Sequence, residues 1–139
     1  MILVDTCGLL ACANDTLPDA AITALREESP EGRVALSVAA WEIACKHATG
    51  KLPLALPPLE AFERICFLLR LRVVDLDAAT GCKAAALPTH HRDPSDRLMI
   101  AWALAHDATV ITSDIIWPTY GVRTMWAKPI QAKKPTKRR

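Results

Sequence analysis

Four acidic residues of this 139-residue chain could act together on a metal ion: Asp5, Glu42, Asp96 and Asp114. Carboxylate oxygens are the hard ligands that suit Mg²⁺ and Mn²⁺, and these ions also accept phosphate oxygens. Two unit charges about 5 Å apart at an effective dielectric near 20 repel by roughly 3 kcal/mol, so such a cluster needs a counter-ion. The pattern indicates metal-assisted phosphodiester hydrolysis, which requires no nucleophilic side chain.

The elements that must position these acids follow from the apolar pattern. Short aliphatic or β-branched runs alternate with longer helical patterns, which is typical of an α/β fold with a mostly parallel sheet. The predicted strands are 1–4, 33–36, 72–74, 109–111 and 122–125. The predicted helices are 18–29, 38–48, 59–69, 78–87 and 94–106, with a short apolar helix at 8–13. We expect a single domain with a central sheet of about five strands and helices on both faces.

The predicted strand ends place the acids near one another. In an open parallel sheet, ligands bind beyond the carboxyl ends of the strands. Asp5 and Asp114 follow the first and fourth strands, and Glu42 lies a little over one turn into the helix after the second. Asp96 opens the last helix, and it joins the others if that helix begins at the same sheet edge. The number of metal ions stays open.

Each acid also has an ordinary structural interpretation. Asp5 could cap the short helix that follows it, and Glu42 could pair with Lys46 four residues later. Asp96 could simply stabilise the positive end of its helix, which Asp93 is expected to cap. Asp93 could also reach a metal through water, which we consider the lesser alternative.

Hydroxyl side chains and helix ends complete the local pattern. Thr6, Thr112 and Ser113 could orient a carboxylate or a water, although ordinary turn residues would give the same pattern. Ser37 and Asp77 suit helix N-caps, and Gly50 suits the position just past a helix C-terminus.

Composition and charge narrow the class of protein. The chain opens with no basic leader, no apolar stretch of signal-peptide length and no run that could span a bilayer, which predicts a cytoplasmic protein without a membrane segment. Its five cysteines lie in hydrophobic segments without a Cys-x-x-Cys pair, so we expect reduced core residues. The net charge of +2 conceals an asymmetry, because six of the seventeen basic residues lie in 128–139 and all fifteen acids precede that segment. We predict a folded domain at 1–127 and a disordered basic tail at 128–139.

These motifs together carry a family resemblance. The chain resembles a PIN domain, in particular the toxin ribonucleases of VapBC-type toxin–antitoxin systems. The segments Trp41-Glu42-Ile43-x-x-Lys46 and His91-Arg92-Asp93-Pro94-x-Asp96-Arg97 are specific in combination. The further similar segments are Leu3-Val4-Asp5-Thr6, Gly50-Lys51-Leu52, Ile111-Thr112-Ser113-Asp114 and Tyr120-Gly121-Val122.

The resemblance implies a Mg²⁺- or Mn²⁺-dependent endoribonuclease that is usually a homodimer and is held inactive by a small antitoxin encoded beside it. Carried over to this chain, Asp5, Asp96 and Asp114 would ligate the metal directly, and Glu42 would bind the metal or its water. Position 7 departs from the pattern, because a cysteine stands where such proteins often carry a polar residue or histidine.

Substrate and partner contacts follow as expectations. Lys46, Arg92 and Arg97 adjoin acidic positions and could hold RNA phosphates, although each could instead form an ordinary ion pair. The tail could also reach RNA or serve only as a solubilising end. The apolar surfaces of 8–13 and 59–69 could form a dimer interface or an antitoxin groove.

Three other classes of function compete with this interpretation. A PIN-fold protein with weak or no catalytic activity could act only through its antitoxin-like partner. A phosphatase or phosphoacceptor protein would place a second acid near the first, which the Asp5-Thr6-Cys7 segment lacks. A nucleotide-binding fold would need a glycine-rich turn after the first strand. Cleavage of DNA stays open, because the metal chemistry does not need a 2′-hydroxyl.

Overall fold

The computed structural model describes residues 1–126, and its centre is a parallel sheet of five strands. The strands are β1 (Ile2–Val4), β2 (Arg33–Leu36), β3 (Arg72–Val74), β4 (Thr109–Ile111) and β5 (Arg123–Met125). Their spatial order is β3-β2-β1-β4-β5, and every neighbouring pair is parallel. The predicted α/β class and five-stranded parallel sheet are therefore confirmed. The predicted tail and the last residue of the predicted domain lie outside the described residues.

Six α-helices connect the strands in the described part of the chain. They are α1 (Thr6–Ala13), α2 (Asp19–Glu27), α3 (Ser37–Ala48), α4 (Pro58–Leu69), α5 (Ala78–Ala86) and α6 (Pro94–Ala105), with 3₁₀ turns at Pro30–Gly32 and Trp117–Tyr120. The chain builds β2 and β3 on one side of β1 and then returns to build β4 and β5 on the other. Because crossovers between parallel strands are almost always right-handed, connections that run in opposite directions are expected to place their helices on opposite faces of the sheet.

The inner strands β1, β2 and β4 are apolar apart from Arg33 and Thr109 at the starts of β2 and β4, because both of their faces are covered. Leu3, Val4, Val34 and Leu36 have no exposed surface. The edge strands carry more polar or exposed residues, and Val73 of β3 is 48% exposed. The carboxyl ends of β1, β2 and β4 consequently meet at the middle of one sheet edge.

Helix ends follow the predicted caps with one exception. Asp77 accepts a hydrogen bond from the Thr80 amide at 2.8 Å, and Gly50 adopts φ +72° just beyond α3. The predicted Ser37 cap is wrong, because β2 runs directly into α3. Leu36 occupies the cap position, and Ser37 is already the first helical residue.

The predicted burial of the cysteines is largely wrong. Cys66 is buried and Cys12 is half-buried, whereas Cys7, Cys45 and Cys82 are exposed. All five thiols are free. Their segments form helices with an outer face, and the apolar neighbours in the sequence do not reveal which face a small residue occupies. Leu104 of α6 is likewise 40% exposed.

None of the helices within residues 1–126 combines the length and the apolar character that a bilayer span requires.

Gly8 allows α1 to pack closely beneath the acidic edge. A Cβ atom there would lie 2.7 Å from Val4 Cγ1 and 3.0 Å from the Ile111 carbonyl oxygen. We expect Gly8→Ala to lower the free energy of unfolding by about 1–3 kcal/mol in urea titrations, as overpacking does in other cores. Gly81→Ala in α5 is the matched control, because no atom lies within 4 Å of its added Cβ. The control should be neutral or slightly stabilising, and equal effects of the two substitutions would contradict the packing argument.

Candidate metal centre

The four predicted acids converge at the carboxyl edge of the sheet. Asp5 follows β1, Glu42 lies in α3, Asp96 lies in the first turn of α6, and Asp114 follows β4. Asp96 lies at the centre of the group, because its charge interacts with those of Glu42 and Asp114 and with that of Asp5. The helix that could not be placed from sequence therefore begins at the expected sheet edge.

Asp5 both caps a helix and contributes a buried carboxylate. It is 1% exposed, and its Oδ1 accepts the Gly8 amide at 2.8 Å. Burial raises the pKa of Asp5 to about 7, although hydrogen bonds from Thr112 and Gly8 act in the opposite direction. The structural and functional interpretations of Asp5 are thus compatible.

Glu42 is held by one partner on each oxygen. The Thr6 hydroxyl donates to Oε2 at 2.5 Å, and Lys46 Nζ lies 3.1 Å from Oε1. The predicted Glu42–Lys46 ion pair is therefore present. Desolvation opposes the charged form of Lys46, but the hydrogen bond and charge of Glu42 outweigh it and raise the pKa of Lys46. These contacts direct the Glu42 carboxylate into the acidic group from the side of α3.

Asp96 is the most crowded of the carboxylates. Burial raises its pKa to about 7, and repulsion by Glu42 is the next largest cause. Asp93 and Asp114 act in the same direction, whereas His91 lowers the pKa. Carboxylates crowded in this way form an environment that a bound cation would stabilise.

Asp93 performs its predicted capping role and also lies closer to the cluster than expected. Its Oδ1 accepts hydrogen bonds from the amide and the hydroxyl of Ser95, both at 2.9 Å. One carboxylate oxygen each of Asp93, Glu42 and Asp96 lie within 4.8 Å of one another. Asp93 is therefore close enough for a direct or water-mediated role.

The threonine and serine after β4 differ in what they contact. Thr112 is buried, accepts the Asp114 amide at 3.1 Å and donates to Asp5, so it links two of the acids. Ser113 is exposed and contacts the Cys7 thiol. Desolvation of that thiol and the nearby charge of Asp5 raise the pKa of Cys7 to about 12, so the thiol stays protonated at neutral pH.

His91 contacts two of the acids, a role that was not predicted from the sequence. Its Nε2 lies 2.8 Å from Asp114 Oδ2 and 3.2 Å from Asp96 Oδ2. The only signal in the sequence was its place in the segment before the Asp93 cap. The ligand atoms of His91, Asp96 and Asp114 form a second group within 4.8 Å, which shares Asp96 with the first.

The three basic residues expected to contact RNA lie in different surroundings. Lys46 lies next to the acidic group, where it pairs with Glu42. Arg92 is exposed and directly precedes Asp93 in the sequence. Arg97 instead directs its guanidinium at backbone carbonyls, including those of Pro88 and Ala84 at 2.8 Å. This use of its donors favours a structural role for Arg97 over a contact with phosphate.

The donor set fits Mg²⁺ or Mn²⁺ in its chemistry. An ion of this size holds oxygen ligands at about 2.1 Å, so two of its ligand atoms can lie up to about 4.2 Å apart. The two groups, each within 4.8 Å, need only small closures to reach that spacing. Of the four predicted acids, Glu42, Asp96 and Asp114 contribute to these groups, together with Asp93 and His91. Asp5 belongs to neither group, although its carboxylate is close enough to feel the charges of Asp96 and Glu42.

Comparisons with known proteins agree with this geometry. The sequence profile of the PIN domain matches residues 2–121. No curated protein is similar enough in sequence to count as a relative. Three similar solved structures are FitAB bound to an IR36 DNA fragment, VapBC2 from Rickettsia felis bound to a DNA fragment from their promoter, and DNA-bound VapBC from Salmonella typhimurium.

The structural similarity extends over almost the whole of each chain despite low sequence identity. FitAB is 17% identical with a TM-score of 0.64, and the match covers 93% of this chain and 98% of that one. The Rickettsia structure is 19% identical with a TM-score of 0.64, and the match covers 90% of this chain and 98% of that one. The Salmonella structure is 16% identical with a TM-score of 0.62, and the match covers 89% of this chain and 96% of that one. These similarities show a shared fold. Because the family profile matches most of the sequence, the chain belongs to the PIN domain family.

Proposed function

We propose that this protein is a Mg²⁺- or Mn²⁺-dependent endoribonuclease and the toxin of a type II toxin–antitoxin pair. The observation that carries the enzymatic part is the convergence of four carboxylates at one sheet edge, with burial raising the pKa values of Asp5 and Asp96 to about 7. Membership of the PIN domain family, whose members are generally nucleases, supports the same conclusion.

The chain's own residues would prepare the site for a cation and a phosphodiester. Mg²⁺ or Mn²⁺ would supply an activated water nucleophile, and its positive charge would offset the negative charge that develops on the phosphate oxygens. Asp5, Asp96 and Asp114 would bind the ion, and Glu42 would bind the ion or orient its water. Thr6 and Thr112 hold Glu42 and Asp5 in place through hydrogen bonds, so these carboxylates need little rearrangement.

Lys46 and Arg92 are the proposed contacts for RNA phosphates. Lys46 Nζ is only partly engaged, because its pair with Glu42 leaves the side chain 39% exposed. Arg92 is exposed next to the capped start of α6. Phosphate contacts of this kind would position RNA without specifying its sequence.

The substrate class is tested by offering RNA and DNA of the same sequence to metal-free protein. We expect internal cuts in the RNA when Mn²⁺ is added and none when EDTA is present. Equal cutting of DNA would replace the ribonuclease proposal with a general nuclease. A folded protein that binds Mn²⁺ and cuts neither polymer would favour the alternative of a partner-binding protein with a silent site.

The proposed partner is a small antitoxin, and a cavity with apolar and charged lining could receive part of it. The similar solved structures FitAB and VapBC are complexes named for two components. In this chain a cavity of about 510 Å³ opens beside α1, α2 and α4. Leu17, Ile22, Leu25 and Leu68 form its apolar lining, and Arg26, Arg33 and Arg70 also border it. An amphipathic segment that carries both leucine-like and acidic side chains would complement this surface.

Leu68→Asp is expected to weaken binding of the antitoxin encoded beside this gene at least about tenfold, because it places a charge in the apolar lining. Leu68 is 60% exposed, so the fold should tolerate the change. Leu59→Asp is the matched control, since Leu59 is 61% exposed on the same helix but does not line the cavity. Calorimetric titration of both variants measures the difference. Equal affinities for the antitoxin would exclude the cavity as its docking place.

A homodimer and a cytoplasmic location complete the proposal. Trp41 of α3 is 57% exposed, and a second copy could cover it. Light scattering of the purified chain and fractionation of expressing cells would test the two statements separately.

A further inference from the structure

We propose that His91 is a positioning residue: its Nε2–H holds Asp96 and Asp114 together in the arrangement that receives the cation, without ligating the cation itself. This inference rests on the proposed function and assigns a role to a residue that the acidic set does not include. Its basis is the set of contacts that fixes both the ring and the backbone of His91.

The hydrogen bonds of the ring establish which nitrogen carries the proton. The backbone N–H of Asp93 donates to Nδ1 of His91 at 3.1 Å, so Nδ1 is the acceptor. A ring whose Nδ1 accepts carries its proton on Nε2, which faces Asp114 Oδ2 at 2.8 Å and Asp96 Oδ2 at 3.2 Å. The ring therefore donates to Asp114 and places the same N–H next to Asp96.

The same tautomer argues against His91 as a metal ligand. A ligating imidazole needs an unprotonated nitrogen toward the ion, and it normally donates its other N–H to a carboxylate, carbonyl or water. Here the second nitrogen faces the N–H of Asp93, which cannot accept. Ligation through Nε2 would require the tautomer to change and the bond from Asp93 to be lost.

The backbone of His91 is fixed on both sides. Its amide donates to the Tyr120 hydroxyl at 2.7 Å, and its carbonyl accepts from Arg97 at 3.2 Å. The same two side chains also donate to the carbonyl of Pro88, at 2.7 Å from Tyr120 and 2.8 Å from Arg97. Tyr120 and Arg97 thus hold the loop before α6 at the carbonyls of Pro88 and His91 and at the His91 amide.

The contacts of His91 counteract the repulsion between Asp96 and Asp114. Asp96 belongs to α6 and Asp114 to the loop after β4, and their charges repel each other. The His91 N–H offsets that repulsion because it hydrogen-bonds Asp114 and lies 3.2 Å from Asp96. The amide of Ile116 donates to Asp114 Oδ1 at 2.8 Å, so both oxygens of Asp114 have a defined direction. Removing the ring N–H would leave the two carboxylates free to separate.

The test compares Mn²⁺ binding by five metal-free proteins: the wild type, His91→Leu, His91→Gln, His90→Gln and Tyr120→Phe. Electron paramagnetic resonance measures free Mn²⁺ and hence affinity without any RNA. We expect His91→Leu to bind Mn²⁺ about 10- to 100-fold more weakly, the usual range when an outer hydrogen-bond partner of a metal site is lost. His91→Gln keeps an N–H donor near the position of Nε2 and should restore most of the affinity.

Two controls separate positioning from loss of structure. His90 is exposed and packs edge-on against Tyr120, so His90→Gln should bind Mn²⁺ as the wild type does. Tyr120→Phe removes the hydroxyl that holds the His91 amide and should weaken Mn²⁺ binding while leaving His91 in the chain. The unfolding transition of each metal-free variant shows whether it is folded. If His91→Leu does not fold, the Mn²⁺ affinity of Tyr120→Phe decides the test.

Electron spin echo modulation distinguishes a positioning residue from a ligand. We expect no directly coordinated ¹⁴N in the Mn²⁺ complex of the wild type. A coordinated imidazole nitrogen, or unchanged affinity in both His91→Leu and Tyr120→Phe, would overturn this inference and leave the proposed ribonuclease intact. Failure of the wild type to bind Mn²⁺ would overturn the metal-dependent function itself, and the role of His91 with it.

Discussion

Asp96→Asn is expected to lower the rate of Mn²⁺-dependent RNA cleavage on the order of a thousandfold, which corresponds to about 4 kcal/mol in the activation barrier. Asp96 belongs to both groups of potential ligand atoms, so the loss of its charge affects every arrangement of the cation. The asparagine side chain has nearly the same shape as that of aspartate, so the substitution removes the charge with little change in packing. Single-turnover cleavage of a labelled RNA pool measures the effect.

Asp107→Asn provides the matched control for this substitution. Asp107 lies just past α6 with a side chain that is 88% exposed, and it pairs with Arg123 away from the acidic group. Its replacement should leave the cleavage rate unchanged, since exposed pairs contribute little. An Asp96→Asn protein that is folded and cuts RNA at the wild-type rate would exclude Asp96 from catalysis.

Asp5→Asn is expected to make the metal-free protein more stable at pH 8, an unusual direction for replacement of a buried residue. The pKa of Asp5 is about 7 in the folded chain and 3.8 in the reference state, so the folded state binds the proton more tightly. The contribution of Asp5 to the free energy of unfolding therefore falls as pH rises from about 4 to about 7 and stays low above that range. For a pKa shift of this size, the contribution of Asp5 to the free energy of unfolding is about 4 kcal/mol lower above pH 7 than below pH 4.

Asparagine mimics the protonated side chain and can still cap α1 by accepting the Gly8 amide. In EDTA, the stability advantage of Asp5→Asn over the wild type should be largest at pH 8 and shrink toward pH 5. Urea unfolding at several pH values measures it. Added Mg²⁺ should stabilise the wild type at pH 8 and should stabilise Asp5→Asn much less, because only the folded wild type offers the complete site. A less stable Asp5→Asn protein at pH 8 in EDTA would contradict the account of a strained carboxylate.

The acids could be predicted from sequence because strand ends place them. Asp5 and Asp114 follow the apolar runs of β1 and β4, and parallel strands bring their carboxyl ends to one edge. The strand order could not be read from the sequence. It places β1 between β2 and β4, and that adjacency brings Glu42 on α3 and Asp96 on α6 to the same point.

The contacts of the loop before α6 could not be predicted, because they depend on backbone conformation. Arg97 next to an acid suggested an ion pair or a phosphate contact, whereas its guanidinium meets carbonyls from residues 84–91. His91 had no recognisable ligand spacing, and its role depends on the tautomer that the Asp93 amide imposes. Local sequence also does not fix which face of a helix is outward, which is why Cys45 and Cys82 were expected in the core.

The central claim is that a divalent cation held by Asp5, Glu42, Asp96 and Asp114 cuts RNA. The most direct measurement titrates Mn²⁺ into metal-free, antitoxin-free protein and records bound Mn²⁺ and the rate of RNA cleavage on the same samples. We expect no cleavage before Mn²⁺ is added and a rate that rises in step with occupancy of the site. Cleavage that persists in EDTA, or a fully occupied site without cleavage of any RNA in a mixed pool, would contradict the claim.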